Sequence, residues 1–242
     1  MIDQTTPSIT EDSSKIAELR LALQSNSEKK QLQLIPELVS QGAAGLEVLM
    51  DFLKEQQLTS IDLVAGLAYQ SLYDADAPKT KEFLTTHFPT GIVPLASDRG
   101  IDYIPLQQLL VQQDFLAADR LTLEKLCELA GPAALKRKWL YFSEVENFPI
   151  ADLHTINNLW FIHSQGKFGF SVQRELWLSL SKNWEKLWPK IGWKTENNWT
   201  RYPHEFTWDL SAPRGHLPLS NQLRGVRVIA SLLSHPAWSV KS

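Results

Sequence analysis

The sequence predicts an all-α chain built from two helical modules, and three observations lead there. Apolar residues recur at three- and four-residue spacing along most of the 242 residues, as on one face of a helix. No stretch alternates apolar and polar residues convincingly enough to be a strand. Charge and tryptophan are unevenly divided. Residues 1–100 carry 8 Lys and Arg against 14 Asp and Glu, net −6, residues 101–242 carry 16 against 13, net +3, and all nine Trp lie between Trp139 and Trp238. Such asymmetry marks two modules.

Taken in order, residues 1–12 are polar and read as a disordered tail, and residues 13–90 read as an N-terminal helical bundle. Ile16, Leu19 and Leu23 share a first helical face behind Ser13 and Ser14. Leu32, Ile35, Leu38 and Val39 make a second, with Pro36 expected to kink or split it. Leu46, Leu49, Met50 and Leu53 make a third, entered after Gly42. Leu63, Leu67 and Leu72 lie on a fourth, and Phe83 and Phe88 end a fifth. Short gaps imply antiparallel neighbours; no repeated motif speaks for a solenoid. Periodicity lapses over residues 91–100, read as a linker, and residues 101–238 read as a second domain. There Pro105 opens a helix with Leu106, Leu109 and Leu110. Asp114 caps the next, which Gly131-Pro132 stops. Ser143 to Glu146 has the form of a capping box. Pro149 starts a helix with Leu153, Ile156 and Trp160. Leu176, Trp177, Leu180, Trp184, Leu187 and Trp188 form one longer pattern ended by Pro189. Residues 189–218 look irregular, as a lid or binding loop does. Val226, Val228, Ile229, Leu232 and Leu233 mark the last helix.

Composition narrows the function. A formal net charge of −3 gives no sign of nucleic-acid binding. The single cysteine, Cys127, excludes an internal disulfide or a cysteine cluster and fits a reducing compartment. The N-terminus lacks the apolar core of a signal peptide and the arginines of a transit peptide. No apolar run approaches the ~18 residues of a membrane span.

Catalytic signatures are missing: no P-loop, GxGxxG, HExxH or GxSxG occurs, and no nucleotide is expected. The histidines are scattered. His154 and His163 are conceivable haem ligands, although capping or polar-face roles are the plainer reading. Cys127 on an apolar face reads as a structural thiol. Lys136-Arg137-Lys138 before Trp139 reads as a solvated helix end.

Two features do carry chemistry. Asn221, Arg224 and Arg227 are spaced by three, on one broad face if helical. Two guanidinium groups suit two carboxylates or phosphates, while an exposed or salt-bridged pair is the plainer alternative. There is also a surplus of large flat side chains: Phe115, Trp139, Phe142, Trp160, Phe168, Phe170, Trp193, Trp199, Tyr202 and Trp208. A core role is the default for each, but together they exceed what a core of this size needs. The pair of features suggests a planar apolar ligand with acidic groups.

The segments GIDYIPLQQLL (100–110), DFLAADRLTLEKLCELAG (114–131), FPIADLHTINNLWFIHSQGKFGFSVQRELW (148–177) and WDLSAPRGHLPLSNQLRGVRV (208–228) resemble the genomes-uncoupled family of porphyrin-binding regulators of magnesium chelatase. The resemblance covers residues 100–238, with DLHTIN, FGFSVQ and LRGVR its most specific motifs; residues 13–90 resemble the helical bundle of cyanobacterial members. It implies an all-helical core shaped like a cupped hand, binding protoporphyrin IX or Mg-protoporphyrin IX in the cup. It implies stimulation of the chelatase through its porphyrin-binding large subunit, with no catalysis by the chain itself. By motif, Asn221, Arg224 and Arg227 match positions near the propionates, and Phe142 and Val145 match apolar positions of the cup. Tyr202 stands where close relatives are expected to have Trp. Phe115 and Trp199, from the aromatic surplus, complete the expected porphyrin-binding set. A cytoplasmic monomer of cyanobacterial type is expected, with peripheral attachment to thylakoid membranes left open. A haem or bilin carrier and a plain helical interaction scaffold stand as alternatives.

Overall fold

In a computed structural model, residues 8–56, 62–219 and 226–239 are described. Helix α1 (Ser8–Ser25) opens the chain. It begins inside the segment expected to be a disordered tail, which corrects that expectation from Ser8 onward. Buried Leu19 and Leu23 of α1 pack toward α2 (Glu28–Ser40), whose Ile35 and Leu38 are wholly buried. Helix α2 runs unbroken through Pro36, where a kink or split was expected. Pro36 is exposed, and the lost N–H bond is offset by the burial of Ile35 and Leu38 on the opposite face.

Helix α3 (Ala43–Glu55) enters through Gly42 at φ +63°. Its Gly45 sits so close to α2 that an added Cβ would overlap the Leu38 carbonyl. Helix α4 (Leu63–Asp74) is capped by Asp62, whose Oδ1 accepts the Ala65 N–H at 2.8 Å. Its most deeply buried residues include Val64, Ala68 and Leu72, whereas Leu63 and Leu67 are half-buried. Helix α5 (Pro78–His87) follows, and its buried Phe83 meets Phe88 and lies beneath the Lys54 ammonium. These five helices belong to one compact unit, residues 1–92; residues 93–242 form a second.

The second unit holds α6 (Ile104–Val111), α7 (Phe115–Ala130), α8 (Pro132–Arg137), α9 (Phe142–Val145), α10 (Ile150–His163), α11 (Phe170–Ser179), α12 (Trp184–Lys190) and α13 (Arg227–Ser234), closed by a 3₁₀ turn at Pro236–Trp238. Helix α10 forms its centre. Leu153, Ile156 and Trp160 are wholly buried, and the Trp160 indole donates to Thr122 Oγ1 on α7 at 2.9 Å. Asp152, at the head of the DLHTIN motif, ties the start of the unit to this centre: its carboxylate accepts Ser97 Oγ at 2.5 Å, the Asp98 N–H at 2.9 Å and Tyr103 OH at 2.9 Å.

Three expectations about these elements change. Gly131-Pro132 ends α7 but also starts α8 at once, because proline suits a first helical turn. The long pattern through Trp188 is two helices, broken where Ser181 and Lys182 adopt φ +55° and +60°, and Pro189 lies inside α12. A two-residue antiparallel ladder, β1 (Lys194–Thr195) with β2 (Asn198–Trp199), pairs Lys194 with Trp199 and Thr195 with Asn198. No helix among the described residues is long and apolar enough to cross a membrane.

Candidate ligand site

The short helix α9 carries two of the expected ligand contacts. Glu144 fixes its start: the carboxylate accepts the Tyr141 N–H at 2.8 Å and two bonds from Arg137 Nη2 at 2.6 and 2.8 Å. The capping box therefore sits two residues earlier than the Ser143 to Glu146 pattern suggested. Arg137 lies over both the Trp139 ring (4.5 Å) and the Tyr141 ring (4.4 Å). The middle of the Lys-Arg-Lys run is thus held in an aromatic clamp, and only its lysines are fully exposed. Val145 is wholly buried beneath α9, whereas Phe142 and Tyr141 remain 39% and 49% exposed.

Helix α13 packs on α9. Its first residue, Arg227, places its guanidinium 5.6 Å from the centre of the Phe142 ring. Arg227 is exposed, and among the described residues it has no carboxylate partner. Asn221 and Arg224 lie outside the described residues, and α13 begins only at Arg227. The structure therefore brings together Phe142, Val145 and Arg227.

The stretch before this segment, residues 189–218, which the sequence reads as a lid or binding loop, is fastened to the helices by hydrogen bonds. Buried Gln173 donates to the carbonyls of Gly215 at 3.0 Å and Pro218 at 2.9 Å. The Gly169 N–H donates to Leu217 O at 3.0 Å, and Lys167 Nζ bonds Leu210 O. His216 donates Nδ1–H to Ile191 O at 2.6 Å and accepts the Thr207 N–H at 3.3 Å. Asp119 of α7 then accepts the Leu219 N–H at 2.6 Å. Burial pushes the Asp119 carboxyl up to about 7, against the opposing pull of the Leu219 amide and Arg120.

Trp199 and Tyr202 belong to other aromatic groups. Trp177, Trp184, Trp188 and Trp193 stack in series, with centroids 4.8, 5.0 and 5.7 Å apart, and Trp199 leans on Trp188 at 5.7 Å. Trp199 is 44% exposed under the Lys194 ammonium. Tyr202, 42% exposed, packs on Phe206 and Trp208, and its OH accepts from Arg120 Nε at 3.2 Å. Phe115 offers no surface: it is wholly buried, stacked on Trp160 at 5.9 Å and edge-on to Phe168 at 5.5 Å. Trp160, Phe168, Phe170 and Trp193 are buried too, so much of the aromatic surplus is core. His163 is buried, which lowers its ring to about 4, and His154 donates Nε2–H to Ala237 O at 2.7 Å. The buried Cys127 thiol is pushed up to about 11, as suits a structural group.

Sequence reasoning missed Asp119, Arg137, Tyr141 and Gln173. For Asp119 a signal existed: Phe115, Asp119, Thr122 and Leu126 follow the four-three-four spacing of one helical face. An acid on an apolar stripe signals a buried partner.

A family model described as GUN4-like matches residues 96–236, and one described as the ARM-like repeat domain, GUN4-N terminal, matches residues 8–89. The Ycf53-like protein of Synechocystis sp. is 56% identical over 94% of this chain and 98% of its own length. The chloroplastic tetrapyrrole-binding protein of Arabidopsis thaliana is 41% identical over 55% of this chain and 54% of its own. The solved structure of GUN4 from Chlamydomonas reinhardtii is 42% identical, superposes with a TM-score of 0.57 and covers 60% of this chain and 95% of that one. With both models matched in order along one chain, and a relative this similar over nearly its full length, the chain belongs to the GUN4 family, in the form that carries the N-terminal ARM-like helical domain.

Proposed function

We propose that this chain binds porphyrins without transforming them, taking protoporphyrin IX and Mg-protoporphyrin IX, and that it stimulates magnesium chelatase in chlorophyll biosynthesis through that enzyme's porphyrin-binding large subunit. The observation that carries the reading is Arg227: an exposed cation, without a carboxylate partner among the described residues, poised over the exposed face of Phe142. A macrocycle resting on Phe142 offers an apolar plane to the ring and a propionate to the guanidinium, which binds carboxylates in fork geometry. Asn221 and Arg224 are assigned to the same propionates. Trp199 and Tyr202 are assigned as further aromatic contacts, and Val145 supports the cup from beneath. The name of the Arabidopsis relative supports the ligand class.

The binding role is assigned to residues 101–238, joined through 91–100 to the helical module of 13–90. Covering ~300–500 Å² of apolar surface supplies about 8–12 kcal/mol at ~25 cal/mol/Å². Association and ordering return several kcal/mol, which leaves a dissociation constant of about micromolar or below. A carrier that hands its ligand to an enzyme needs no tighter grip. The chain is expected in the cytoplasm as a monomer.

Two readouts on the purified chain test this. Titration with a soluble deuteroporphyrin is expected to quench tryptophan fluorescence saturably near micromolar concentration. Adding the chain to purified chelatase subunits at limiting porphyrin is expected to raise the rate of magnesium insertion several-fold. Linear, unsaturable quenching together with an unchanged chelatase rate would overturn the proposal and leave the helical scaffold.

A further inference from the structure

A cavity of about 300 Å³ opens between α10, the start of α11 and the closing 3₁₀ turn, lined by His154, Asn158, Phe161, Ser171, Arg174 and Trp238 among others. Its size is at the lower end for small-molecule sites. Its chemistry is one-sided. Arg174 uses Nε to bond the Leu233 carbonyl at 3.1 Å, and among the described residues its two terminal nitrogens have no partner. Asn158 accepts a long bond from Asn157 at 3.4 Å through Oδ1, which leaves its Nδ2 group available. The Ser171 N–H is taken by Asn157 Oδ1 at 2.8 Å, whereas among the described residues the Ser171 hydroxyl makes no bond. Among the described residues no acidic side chain lines the cavity. The nearest acid along α11, Glu175, is exposed and paired with Arg214. The remaining walls are flat: Phe161 on one element, and on another Trp238, whose ring lies 5.9 Å from that of His154.

We propose that this cavity binds a small organic acid with one carboxylate and a planar apolar body. The free fork of Arg174 takes the carboxylate as a bidentate pair, with Ser171 and Asn158 supplying further donors. Phe161 and Trp238 cover the body. The cavity is too small for a tetrapyrrole macrocycle, so the site is separate from the Arg227 surface, and it stands whether or not the porphyrin reading does.

Sodium benzoate is the probe. In amide and indole NMR spectra of the full chain, the Trp238 indole signal (assigned with Trp238→Phe) and the Ser171 amide are expected to shift saturably at millimolar concentration. Arg174→Met is expected to weaken the apparent affinity about ten-fold or more, the scale of a lost charge-assisted pair. Arg174→Lys is expected to keep part of it. Because Arg174 also holds Leu233, Asn158→Asp is the second variant: Asn158 is exposed, the change leaves the fold alone, and it sets a negative charge at the mouth. It too is expected to weaken the apparent affinity about ten-fold or more. An unsaturable shift, or an affinity unchanged in both Arg174→Met and Asn158→Asp, overturns the proposal. So does a shift produced by deuteroporphyrin and not by benzoate, which would make the occupant a propionate of the macrocycle.

Discussion

Asp119 is a buried acid whose hydrogen-bond partner is a backbone amide 100 residues away, that of Leu219. Its carboxyl rises from 3.8 to about 7, chiefly by desolvation. The folded chain therefore holds a proton there that the unfolded chain has released above pH ~4. This contribution to stability is full below the unfolded value and is lost as the pH rises through about 7. His163 works the other way. Burial lowers its ring from 6.5 to about 4, so its contribution is intact above 6.5 and is lost as the pH falls toward 4. His216 and His235 are lowered as well and share that sign. Asp119→Asn keeps an oxygen for Leu219 but removes the charge. Its melting temperature is expected to exceed wild type at pH 8, with the gap closing at pH 5; an equal gap at both values would contradict the assignment. Asp119→Ala leaves the buried Leu219 N–H unpaired and is expected to cost about 1–3 kcal/mol at either pH.

At the scale of elements, the meeting of α2 and α3 is the tightest contact the glycines report. A methyl at Gly45 would overlap the Leu38 carbonyl, a backbone atom that cannot swing aside. Gly45→Ala is expected to lower the stability of residues 1–92 by about 3 kcal/mol or more, the upper end of overpacking costs, because the clash is with backbone. Gly42, at φ +63° with open space around it, is expected to cost only the ~1–2 kcal/mol of a left-handed alanine. Thermal melts of the two variants check the order, and equal losses would refute it. Element boundaries were legible where a residue has one physical use: Asp114 accepts the Ala117 N–H expected of a helix cap. They were illegible where a residue has two. Pro132 both ends one helix and starts the next, and Pro36 and Pro189 sit inside helices that packing sustains. The Trp177, Trp184 and Trp188 spacing fits one helix face, but stacking carries these rings across a break that only the φ values of Ser181 and Lys182 reveal.

Over the whole molecule, the all-helical class and the unequal halves could be read from periodicity and from the tryptophan split, because both follow from local spacing. The site was legible only in part. Arg227 and Phe142 meet, yet Phe115 was indistinguishable from a pocket wall, since an aromatic behind a cap looks alike in core and cleft until long-range packing is known. The Asp119–Leu219 bond spans 100 residues: the apolar stripe of α7 marks Asp119 as an acid in need of a partner, but no local pattern says which amide supplies it. What remains central is the claim that Arg224 and Arg227 hold the acidic edge of a flat ligand. The most direct test is a deuteroporphyrin titration of wild type against Arg224→Ala/Arg227→Ala, followed by tryptophan quenching and the Soret shift. Loss of two charge-assisted contacts is expected to weaken saturable binding about ten-fold or more while the fold, read by circular dichroism, is unchanged. Saturable binding of wild-type strength in the double variant would contradict the account.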